Sequence, residues 1–531
     1  MVKYIFITGG VLSGLGKGVV TASTGLILRS MGFTVTAIKI DPYVNVDAGT
    51  MNPYMHGEIF VTEDGGETDL DIGHYERFLN TNLTKKHNIT TGKIFYEVIS
   101  KERKGEYLGK CVQIVPHITD EIKKSIRSVA KETDVEIVLV EIGGTVGDIE
   151  SLPFLEAIRQ MRIEEGFWNT AYIHVALAPE LHTGEQKTKP VQHSVNELRR
   201  IGIQPDAIIV RSRRLLEDEN KAKIAMHSTL PNEAIFSVPY VESIYEIPLK
   251  LVDEGYDKYI ADKLRIEYRK PDLISWIDFV NRVKNPSRVV KLGMIGKYTK
   301  VKDSYLSIIE AFKHAGASLN VKPEFVWFES TDIEDGKVSL EELDGLNGLV
   351  ILPGFGKRGS EGKIKAIQYG REKDLPILGI CFGMQLMVIE YARNVIGLDK
   401  ANSLELDPST PHPVIKLAEG VNLEQLGGTM RLGSLPIKIV KGTIAWEIYG
   451  REIVYERHRH RYVVNNEYVD LLVDNGLVVS GWSMDNYVEF IELKNYKTIF
   501  FGTQAHPEYK SRPLDPSPVY LYYLSKITGF K

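Results

Sequence analysis

The chain has 531 residues, of which 43% are hydrophobic and 25% charged, and this length and composition fit a globular protein with two large domains or three smaller ones. The formal net charge of −5 excludes a general nucleic-acid-binding surface, while the two cysteines, Cys111 and Cys381, exclude a disulfide scaffold and fit a reducing compartment. No apolar run reaches membrane-spanning length and the first residues lack the flanks of a signal peptide, so we expect a cytoplasmic protein without a membrane partner.

The first predicted elements are a buried strand at residues 3–8, a glycine-rich loop at residues 9–18 and a segment of helical spacing at residues 19–29. In a phosphate-binding loop of this kind, backbone N–H groups and the helix dipole meet the phosphates, and a lysine, here Lys17, neutralises them. Gly18 stands where Ser or Thr usually binds Mg²⁺, so carboxylates from elsewhere have to hold the metal. A tight turn without a ligand is the alternative, because glycine serves any position of positive φ.

A second strand is predicted at residues 33–40, and a long polar, glycine-rich stretch follows it. Loops this long inside compact domains tend to be functional. Most of its carboxylates fit a solvated face, but Asp71 follows a leucine and opens a helix-like segment, which makes it the better candidate for a ligand. A third strand, beginning at residue 135, carries Glu141 inside an apolar run. A buried acid needs a partner, and Mg²⁺ at the carboxyl end of the strand would supply one.

Two further groups of polar residues fall at predicted helix starts. Asp148 and Glu150 follow the third strand, and a helix cap and a ligand-binding role explain them equally well. After a fourth strand at residues 171–178, Lys187 and Lys189 flank a threonine. Two lysines at a helix start suit a polyphosphate, although such a pair also fits a solvated surface.

Strands and helices continue to alternate, with a fifth strand at residues 206–211 and Lys223 on the helix after it. This alternation predicts a parallel, doubly wound sheet that binds its ligands at the carboxyl ends of the strands. Prolines and charges at residues 268–288 predict a linker, after which the alternation restarts. The sequence therefore predicts two α/β domains, at residues 1–267 and 289–531.

In the second half, an apolar run at residues 376–380 leads to Cys381, and a helix-like apolar segment leaves it. Gly379 and Gly383 flank this point and fit the strained strand–nucleophile–helix turn that lifts one side chain into a cleft. A thiol there lies near a helix N-terminus, which favours the thiolate. Taken alone, Cys381 also fits a small buried hydrophobe, as most free cysteines do.

A strand at residues 497–504 leads to His506 and, two residues later, Glu508. Cys, His and Glu in this order resemble the class I glutamine amidotransferases, whose domain releases ammonia for a second reaction. Between Cys381 and His506 in the chain, the polar stretches 402–405, 427–433 and 456–462 are predicted to be loops. Three arginines in the last of these fit either a surface charge cluster or a carboxylate-binding site.

Amidotransferase domains occur on many synthetases, so the Cys-His-Glu order does not identify the synthetase. Six other stretches are more specific to one family: Ser13-Gly-Leu-Gly-Lys-Gly18, Lys39-Ile-Asp-Pro-Tyr43, Gly49-Thr-Met-Asn-Pro-Tyr54, Glu67-Thr-Asp-Leu-Asp71-Ile-Gly-His-Tyr-Glu-Arg77, Gly143-Gly-Thr-Val-Gly-Asp148-Ile-Glu150 and Lys187-Thr-Lys-Pro190. Over essentially its whole length the chain resembles the CTP synthase family. The resemblance implies an N-terminal synthetase domain of the P-loop, dethiobiotin-synthetase type and a C-terminal class I glutamine amidotransferase domain. It also implies ATP-dependent amination of UTP to CTP with ammonia from glutamine, Mg²⁺ as cofactor, inhibition by CTP, activation by GTP, and a homotetramer built through the synthetase domain.

The resemblance implies the residues of each site as well. The ATP site would comprise Ser13, Gly14, Leu15, Gly16, Lys17, Gly18, Lys39 and Asp71, with Asp71 and Glu141 as Mg²⁺ ligands. The UTP and CTP site would comprise Ser13, Asp148, Ile149, Glu150, Lys187, Thr188, Lys189, Pro190, Val191, Gln192 and Lys223. The glutaminase would use Cys381, His506 and Glu508 as its triad and bind glutamine with Gly354, Phe382, Gly383, Met384, Gln385, Glu405 and Arg461, while Arg358 and Arg431 would serve GTP.

Two departures from the family pattern stand out. Residues 353–356 read Pro-Gly-Phe-Gly, one glycine fewer than the family's usual Pro-Gly-Gly-Phe-Gly, in the turn that supplies an oxyanion donor. Pro239 and Tyr240 replace a Lys-Asp pair of many bacterial members, so no adenine contact is predicted there.

Two other interpretations remain, a different amidotransferase-coupled ligase of the cobyrinate amidase type and a non-catalytic assembly protein. The Lys187-Thr-Lys and Gly49-Thr-Met-Asn-Pro-Tyr stretches argue against the first, and the complete Cys-His-Glu set argues against the second.

Overall fold

The computed structural model describes residues 2–12, 14–421, 423 and 427–529. Ser13, one of the predicted nucleotide-binding residues, lies outside the described residues. The chain forms two compact units: the N-terminal unit comprises Met1–Ala48 and Asp71–Val280, and the C-terminal unit comprises Gly49–Leu70 and Asn281–Lys531. The division into domains at residues 1–267 and 289–531 stays a prediction.

The strands, in chain order, are β1 (Lys3–Gly9), β2 (Val35–Asp41), β3 (Phe60–Val61), β4 (Glu67–Thr68), β5 (Asn88–Thr90), β6 (Ile137–Ile142), β7 (Thr170–Leu177), β8 (Ala207–Ser212), β9 (Ile235–Pro239), β10 (Arg288–Gly296), β11 (Val321–Glu329), β12 (Gly348–Ile351), β13 (Ile377–Ile380), β14 (Asn402–Ser403), β15 (Pro413–Leu417), β16 (Arg431–Ile439), β17 (Ile453–His460), β18 (Tyr462–Val464), β19 (Leu477–Ser483), β20 (Val488–Leu493) and β21 (Phe500–Thr503).

The α-helices are α1 (Lys17–Ser30), α2 (Pro53–His56), α3 (Leu70–Leu79), α4 (Thr91–Arg103), α5 (Thr119–Thr133), α6 (Leu152–Glu165), α7 (Lys189–Arg200), α8 (Asp218–Ser228), α9 (Ile247–Asp253), α10 (Tyr256–Leu264), α11 (Ile274–Lys284), α12 (Leu306–Ser318), α13 (Ser330–Glu334), α14 (Ser360–Glu372), α15 (Phe382–Asn394), α16 (Ile444–Tyr449), α17 (Val469–Asp474) and α18 (Pro518–Thr528). In the described part of the chain, no helix is both long enough and apolar enough to cross a membrane.

The N-terminal unit is built on a seven-stranded sheet in the order β5-β2-β6-β1-β7-β8-β9, in which all neighbouring strands are parallel. Its central strands are apolar on both faces because helices cover both sides, as is usual for parallel sheets. Glu141 on β6 stands in register with Lys39 on β2 and with Ile7 on β1. The predicted parallel α/β architecture is confirmed for this unit.

The C-terminal unit contains a nine-stranded sheet in the order β11-β10-β12-β13-β21-β20-β19-β16-β17. The first five strands are parallel, and the four from β20 to β17 extend the sheet in antiparallel fashion. Two apolar clusters cover the two faces of the sheet. The α/β class is therefore confirmed here too, with an antiparallel extension that the sequence did not indicate.

Part of this extension corrects the prediction of loops at 427–433 and 456–462. Both stretches run into strands, and β16 pairs with β17 along almost its full length. Arg457 is completely buried in β17, so the surface-cluster interpretation is wrong for this residue. The strand lacks the usual alternation of apolar and polar residues because its inward-facing side chains form ion pairs and hydrogen bonds within the protein.

Candidate functional sites

The end of the loop between β1 and α1 leads directly into the helix. Gly16 adopts a left-handed conformation, with φ 85° and ψ 33°, and α1 begins at the next residue, Lys17. The Lys17 ammonium donates to the carbonyl oxygen of Gly144. Burial lowers the pKa of Lys17, and the negative charge of Glu141 opposes that shift. Gly14 is exposed and Leu15 is buried.

Lys39 joins two carboxylates at the carboxyl edge of this sheet. Its Nζ lies 3.0 Å from Oε1 of Glu141 and also donates to Asp71. The Tyr75 hydroxyl donates to the other carboxylate oxygen of Glu141. Glu141 is only 1% exposed, and both its burial and the charge of Asp71 raise its pKa, while Lys39 opposes the rise. The structure therefore brings together Lys39, Asp71 and Glu141, which come from three separate elements.

Gly18 is required for this arrangement. A Cβ atom at position 18 would lie 1.8 Å from Oδ1 of Asp71, far inside van der Waals contact. A serine or threonine, the usual residue of a phosphate-binding loop at this position, would therefore displace the Asp71 carboxylate. Within the described residues no group of three or more His, Cys, Asp or Glu side chains could hold a metal. Mg²⁺ needs only one or two protein carboxylates when phosphates and water complete its shell, so Asp71 and Glu141 fit this ion.

Of the residues predicted to bind the UTP triphosphate, residues 187–192 lie at the start of α7. Gln192 Nε2 donates to Oγ1 of Thr188 at 3.0 Å, and both side chains are buried. Lys187 Nζ lies 2.5 Å from Oε1 of Glu185, so this ammonium has a carboxylate partner within the protein. The remaining members of the set lie on α7 and α8: Lys189 and Lys223 are exposed, Pro190 is partly exposed in the first turn, and Val191 is buried.

Asp148 closes a local turn. Its carboxylate accepts the N–H of Thr145 at 2.8 Å, immediately before a short 3₁₀ helix at Ile149–Ser151. The side chains of Ile149 and Glu150 are exposed, Ile149 by 81%. The Asp148 side chain makes no hydrogen bond that caps this 3₁₀ helix, and Glu150 is accessible to a ligand.

In the C-terminal unit, Cys381 occupies a strained junction between β13 and α15. Its φ of 53° and ψ of −107° lie outside the regions that non-glycine residues favour, as in other nucleophile turns. The Cys381 N–H donates to the carbonyl oxygen of Thr503 at 2.6 Å, which ties the turn to β21. A Cβ atom on Gly383 would lie 2.2 Å from the carbonyl oxygen of Ile351, so only glycine lets α15 approach β12 this closely.

His506 follows the neighbouring strand β21 and is held by two residues. Its Nδ1 lies 2.7 Å from Oε1 of Glu508, and the Tyr520 hydroxyl donates to the other carboxylate oxygen at 3.1 Å. Burial lowers the pKa of His506, but Glu508 and the Cys381 thiol more than offset that effect and raise the pKa to about 10. Gln504 Nε2 also lies 3.6 Å from Sγ of Cys381. The imidazole is therefore oriented by a buried carboxylate beside the thiol.

A cavity of about 580 Å³ opens over these side chains. Its lining combines Cys381, His506 and Glu508 with Gly354 and Arg461, so five of the predicted glutaminase residues share one space. The other predicted glutamine-binding residues lie around it: Phe382, Gly383, Met384 and Gln385 are buried in the first turn of α15, Gln385 donates to the carbonyl oxygen of Tyr462 at 2.8 Å, and Glu405 accepts the Gly356 N–H at 2.7 Å.

The two arginines predicted to serve GTP differ in position. Arg358 lines the cavity and donates to the carbonyl oxygen of Lys297 at 2.6 Å and to Glu329 at 3.1 Å. Arg431 forms an ion pair with Asp485. Both guanidinium groups thus already have partners within the C-terminal unit.

The sequence did not indicate that residues 49–70 belong to the C-terminal unit. Arg457 Nε lies 3.1 Å from Oε1 of Glu63, and Arg459 Nε lies 2.8 Å from Oε1 of Glu67. The Glu58 carboxylate accepts the N–H of Ser307. Residues 49–70 make further contacts within this unit. Tyr54 donates to the carbonyl oxygen of Lys297, Tyr509 donates to that of Ile59, and residues 49–54 line the cavity beside Cys381.

Two buried lysines, Lys297 and Lys363, are the other residues that the sequence reading missed. Lys297 follows β10 immediately, and Lys363 lies inside α14 between residues that pack in the core. Both lysines contact the turn that contains Gly354.

Comparisons with known proteins agree on the family. The model of the CTP synthase N-terminus matches residues 3–266, and that of the class I glutamine amidotransferases matches residues 300–525. CTP synthase of Aeropyrum pernix is 60% identical over 100% of this chain and 99% of the relative, and that of Sulfolobus acidocaldarius is 58% identical over 99% of each. A solved glutaminase domain of Trypanosoma brucei CTPS with bound acivicin is 34% identical, covering 46% of this chain and 95% of its own, with a TM-score of 0.43. From its matching family models and full-length relatives, the chain belongs to the CTP synthase family.

Proposed function

We propose that the protein converts UTP to CTP in an ATP-dependent reaction that uses ammonia released from glutamine. The observation that carries the proposal is the presence of two separate reactive centres in one chain. The C-terminal unit holds the thiol, imidazole and carboxylate of Cys381, His506 and Glu508 in one cavity. The N-terminal unit holds Lys17 at its glycine-rich loop and a lysine–carboxylate cluster around Lys39.

In the glutaminase reaction, the Cys381 sulfur attacks the carboxamide carbon of glutamine. His506 takes the thiol proton of Cys381 as general base, and the raised pKa of its imidazole favours this transfer. His506 then gives that proton to the departing ammonia, and water attacks the resulting thioester to release glutamate. Glu508 keeps the imidazole oriented throughout, and the backbone N–H groups of Gly354 and Phe382 stabilise the oxyanion.

In the synthetase reaction, the difficulty lies in the uracil O4 atom, which is a poor leaving group. ATP transfers its γ-phosphoryl group to O4, ammonia attacks C4, and phosphate leaves. Lys17 and Lys39 stabilise the charge that develops on the transferred phosphoryl group. Asp71 and Glu141 would hold Mg²⁺, which would supply positive charge for the phosphates.

The nucleotide that is aminated would bind at the start of α7. Thr188 and Gln192 lie in the first turn of α7, whose N-terminal N–H groups favour an anion. The exposed Lys189 and Lys223 supply positive charge for a triphosphate. CTP carries the same triphosphate as UTP and would inhibit by occupying this site, with Asp148, Ile149 and Glu150 sensing the pyrimidine ring. GTP would activate the glutaminase through Arg358 and Arg431, and the protein would form a tetramer through the N-terminal unit.

The direct test is chromatographic measurement of CTP after incubation with UTP, ATP and Mg²⁺ and either glutamine or an ammonium salt. We expect CTP with both nitrogen sources and none when ATP is left out. Glutamate release in the glutamine reaction identifies the first step. If neither nitrogen source produced CTP while ATP hydrolysis depended on a different acceptor, the proposed substrate would be wrong.

A further inference from the structure

The turn after β12 rests on the side-chain amines of two buried lysines. Lys297 is 1% exposed, and its Nζ lies 2.5 Å from the carbonyl oxygen of Phe355 and 2.6 Å from that of Gly356. Lys363 is 0% exposed, and its Nζ lies 2.5 Å from the carbonyl oxygen of Leu352 and 3.5 Å from that of Pro353. The carbonyl oxygens on both sides of Gly354 are therefore held by lysine side chains.

These contacts determine which way the N–H groups of the turn point, because the C=O and N–H of a trans peptide are antiparallel. The peptide between Phe355 and Gly356 shows the effect: Lys297 holds its carbonyl, and its N–H donates to Glu405 at 2.7 Å on the other side. In the peptide between Pro353 and Gly354, Lys363 holds the carbonyl oxygen, so the Gly354 N–H points away from Lys363. Within the described residues this N–H makes no hydrogen bond, and Gly354 lines the cavity with Cys381.

The two lysines also meet the residue that carries the other oxyanion donor. The centre of the Phe382 ring lies 5.1 Å from Nζ of Lys297 and 5.4 Å from Nζ of Lys363. A Cβ atom on Gly354 would lie 3.0 Å from Cε of Lys297, so the lysine stem also sets how close the turn can approach. Both halves of the oxyanion site are thus supported by the same pair of side chains.

We propose that Lys297 and Lys363 are positioning residues of the glutaminase, which hold the shortened turn so that the Gly354 N–H faces the oxyanion formed at Cys381. This inference depends on the glutaminase reaction proposed above. Neither lysine touches the reacting atoms; each acts through the backbone of residues 352–356. The turn has one glycine fewer than the family's usual pattern, and fixed carbonyls on both sides of Gly354 keep its single peptide in the orientation that a donor needs.

The test compares Lys297→Met and Lys363→Met, made in a Cys111→Ser background, with exposed control variants Lys300→Met and Lys365→Met. Removing one oxyanion donor lowers turnover by about 10²–10³-fold, and a misdirected donor should lower turnover by about tenfold to a hundredfold. We expect kcat for glutamine hydrolysis to fall by that factor with KM for glutamine within about threefold, whereas the controls keep both values. Lys297→Arg keeps a charged donor and should recover part of the loss.

A second measurement separates positioning of the oxyanion donor from damage to the thiol. Alkylation of Cys381 by iodoacetamide forms no oxyanion, so its rate should be unchanged in the methionine variants. Ammonia-dependent CTP formation should also be unchanged, and its absence in the unaltered protein would count against the proposed function instead. The inference is wrong if both methionine variants keep near-normal turnover, or if turnover and alkylation fall together. If Lys363→Met does not fold, the Lys297 variants alone decide by the same criteria.

Discussion

The Asp71 carboxylate occupies the space that a side chain at position 18 would need, since a Cβ atom on Gly18 would lie 1.8 Å from Oδ1. The glycine that departs from the common phosphate-loop pattern is therefore matched to a carboxylate from α3. The Asp71 carboxylate can lie here only because position 18 carries no side chain.

We therefore expect Gly18→Ser to impair the enzyme, although it restores the common pattern. The serine would push Asp71 away from Lys39, and CTP formation should fall by at least about tenfold with glutamine and with ammonia alike. Glutamine hydrolysis should continue, because the Cys381 cavity lies in the other unit. Steady-state rates of both reactions give the comparison, and a fully active Gly18→Ser variant would show that Asp71 does not need this position.

Asp71→Asn and Glu141→Gln should each remove CTP formation with either nitrogen source while glutamine hydrolysis survives. The amides keep the size of the side chains but lose the charge that fits Mg²⁺. Asp134→Asn is the matched control, because Asp134 is exposed and immediately precedes the segment that leads to β6. The readout is the Mg²⁺ dependence of ammonia-driven synthesis, and a normal Mg²⁺ titration in either variant would remove that residue from the proposed metal site.

Cys381→Ala should abolish CTP formation from glutamine and leave the ammonia-driven reaction within about twofold of its normal rate. The thiol is the proposed nucleophile, and the nucleotide residues lie in a different unit. Cys111→Ala serves as the control, since Cys111 is exposed. Equal loss of both activities in Cys381→Ala would contradict the assignment of separate centres.

Glu150→Ala should weaken inhibition by CTP more than it weakens use of UTP. The two nucleotides share a triphosphate, so only contacts to the ring can distinguish them, and discrimination is a difference of affinities. The inhibition constant for CTP and the KM for UTP, measured in the same preparation, provide the comparison. A parallel rise of both constants would return Asp148 and Glu150 to the helix-cap interpretation.

The raised pKa of His506 predicts a pH-dependent contribution to stability. The folded protein binds the imidazole proton more tightly than the unfolded chain does, because its pKa is about 10 in the fold against an ordinary value near 6.5. The contribution is complete below pH 6.5 and is lost as the pH rises towards 10. The difference in melting temperature between the unaltered protein and His506→Gln should shrink across that range; a constant difference would argue against the raised pKa.

Local patterns allowed much of the fold to be predicted. The strand-to-helix junctions at Lys17 and Cys381 lie where an apolar run meets glycines, and both signals are contained in about ten consecutive residues. Full-length identity to curated CTP synthases also decides against the interpretation as a cobyrinate-type ligase. Fold class and family were therefore accessible from the sequence.

The parts that could not be predicted depend on partners far apart in the chain. Arg457 is stable in the middle of β17 because it pairs with Glu63, which lies 394 residues earlier. Lys297 and Lys363 bind backbone carbonyl oxygens, and a carbonyl acceptor leaves no trace in the residue types. Side-chain pairing across such distances and contacts to the backbone have no local periodicity, so sequence patterns do not reveal them.

The position of residues 49–70 limits how the protein can be divided into separately expressed halves. A cut in the 268–288 stretch would leave Glu63 and Glu67 on the N-terminal fragment and Arg457 and Arg459 on the other, so two buried or nearly buried ion pairs would be lost. A glutaminase fragment that begins after the cut would also lack one wall of its own cavity. Its low stability and altered glutamine affinity would then reflect missing residues of the same folding unit.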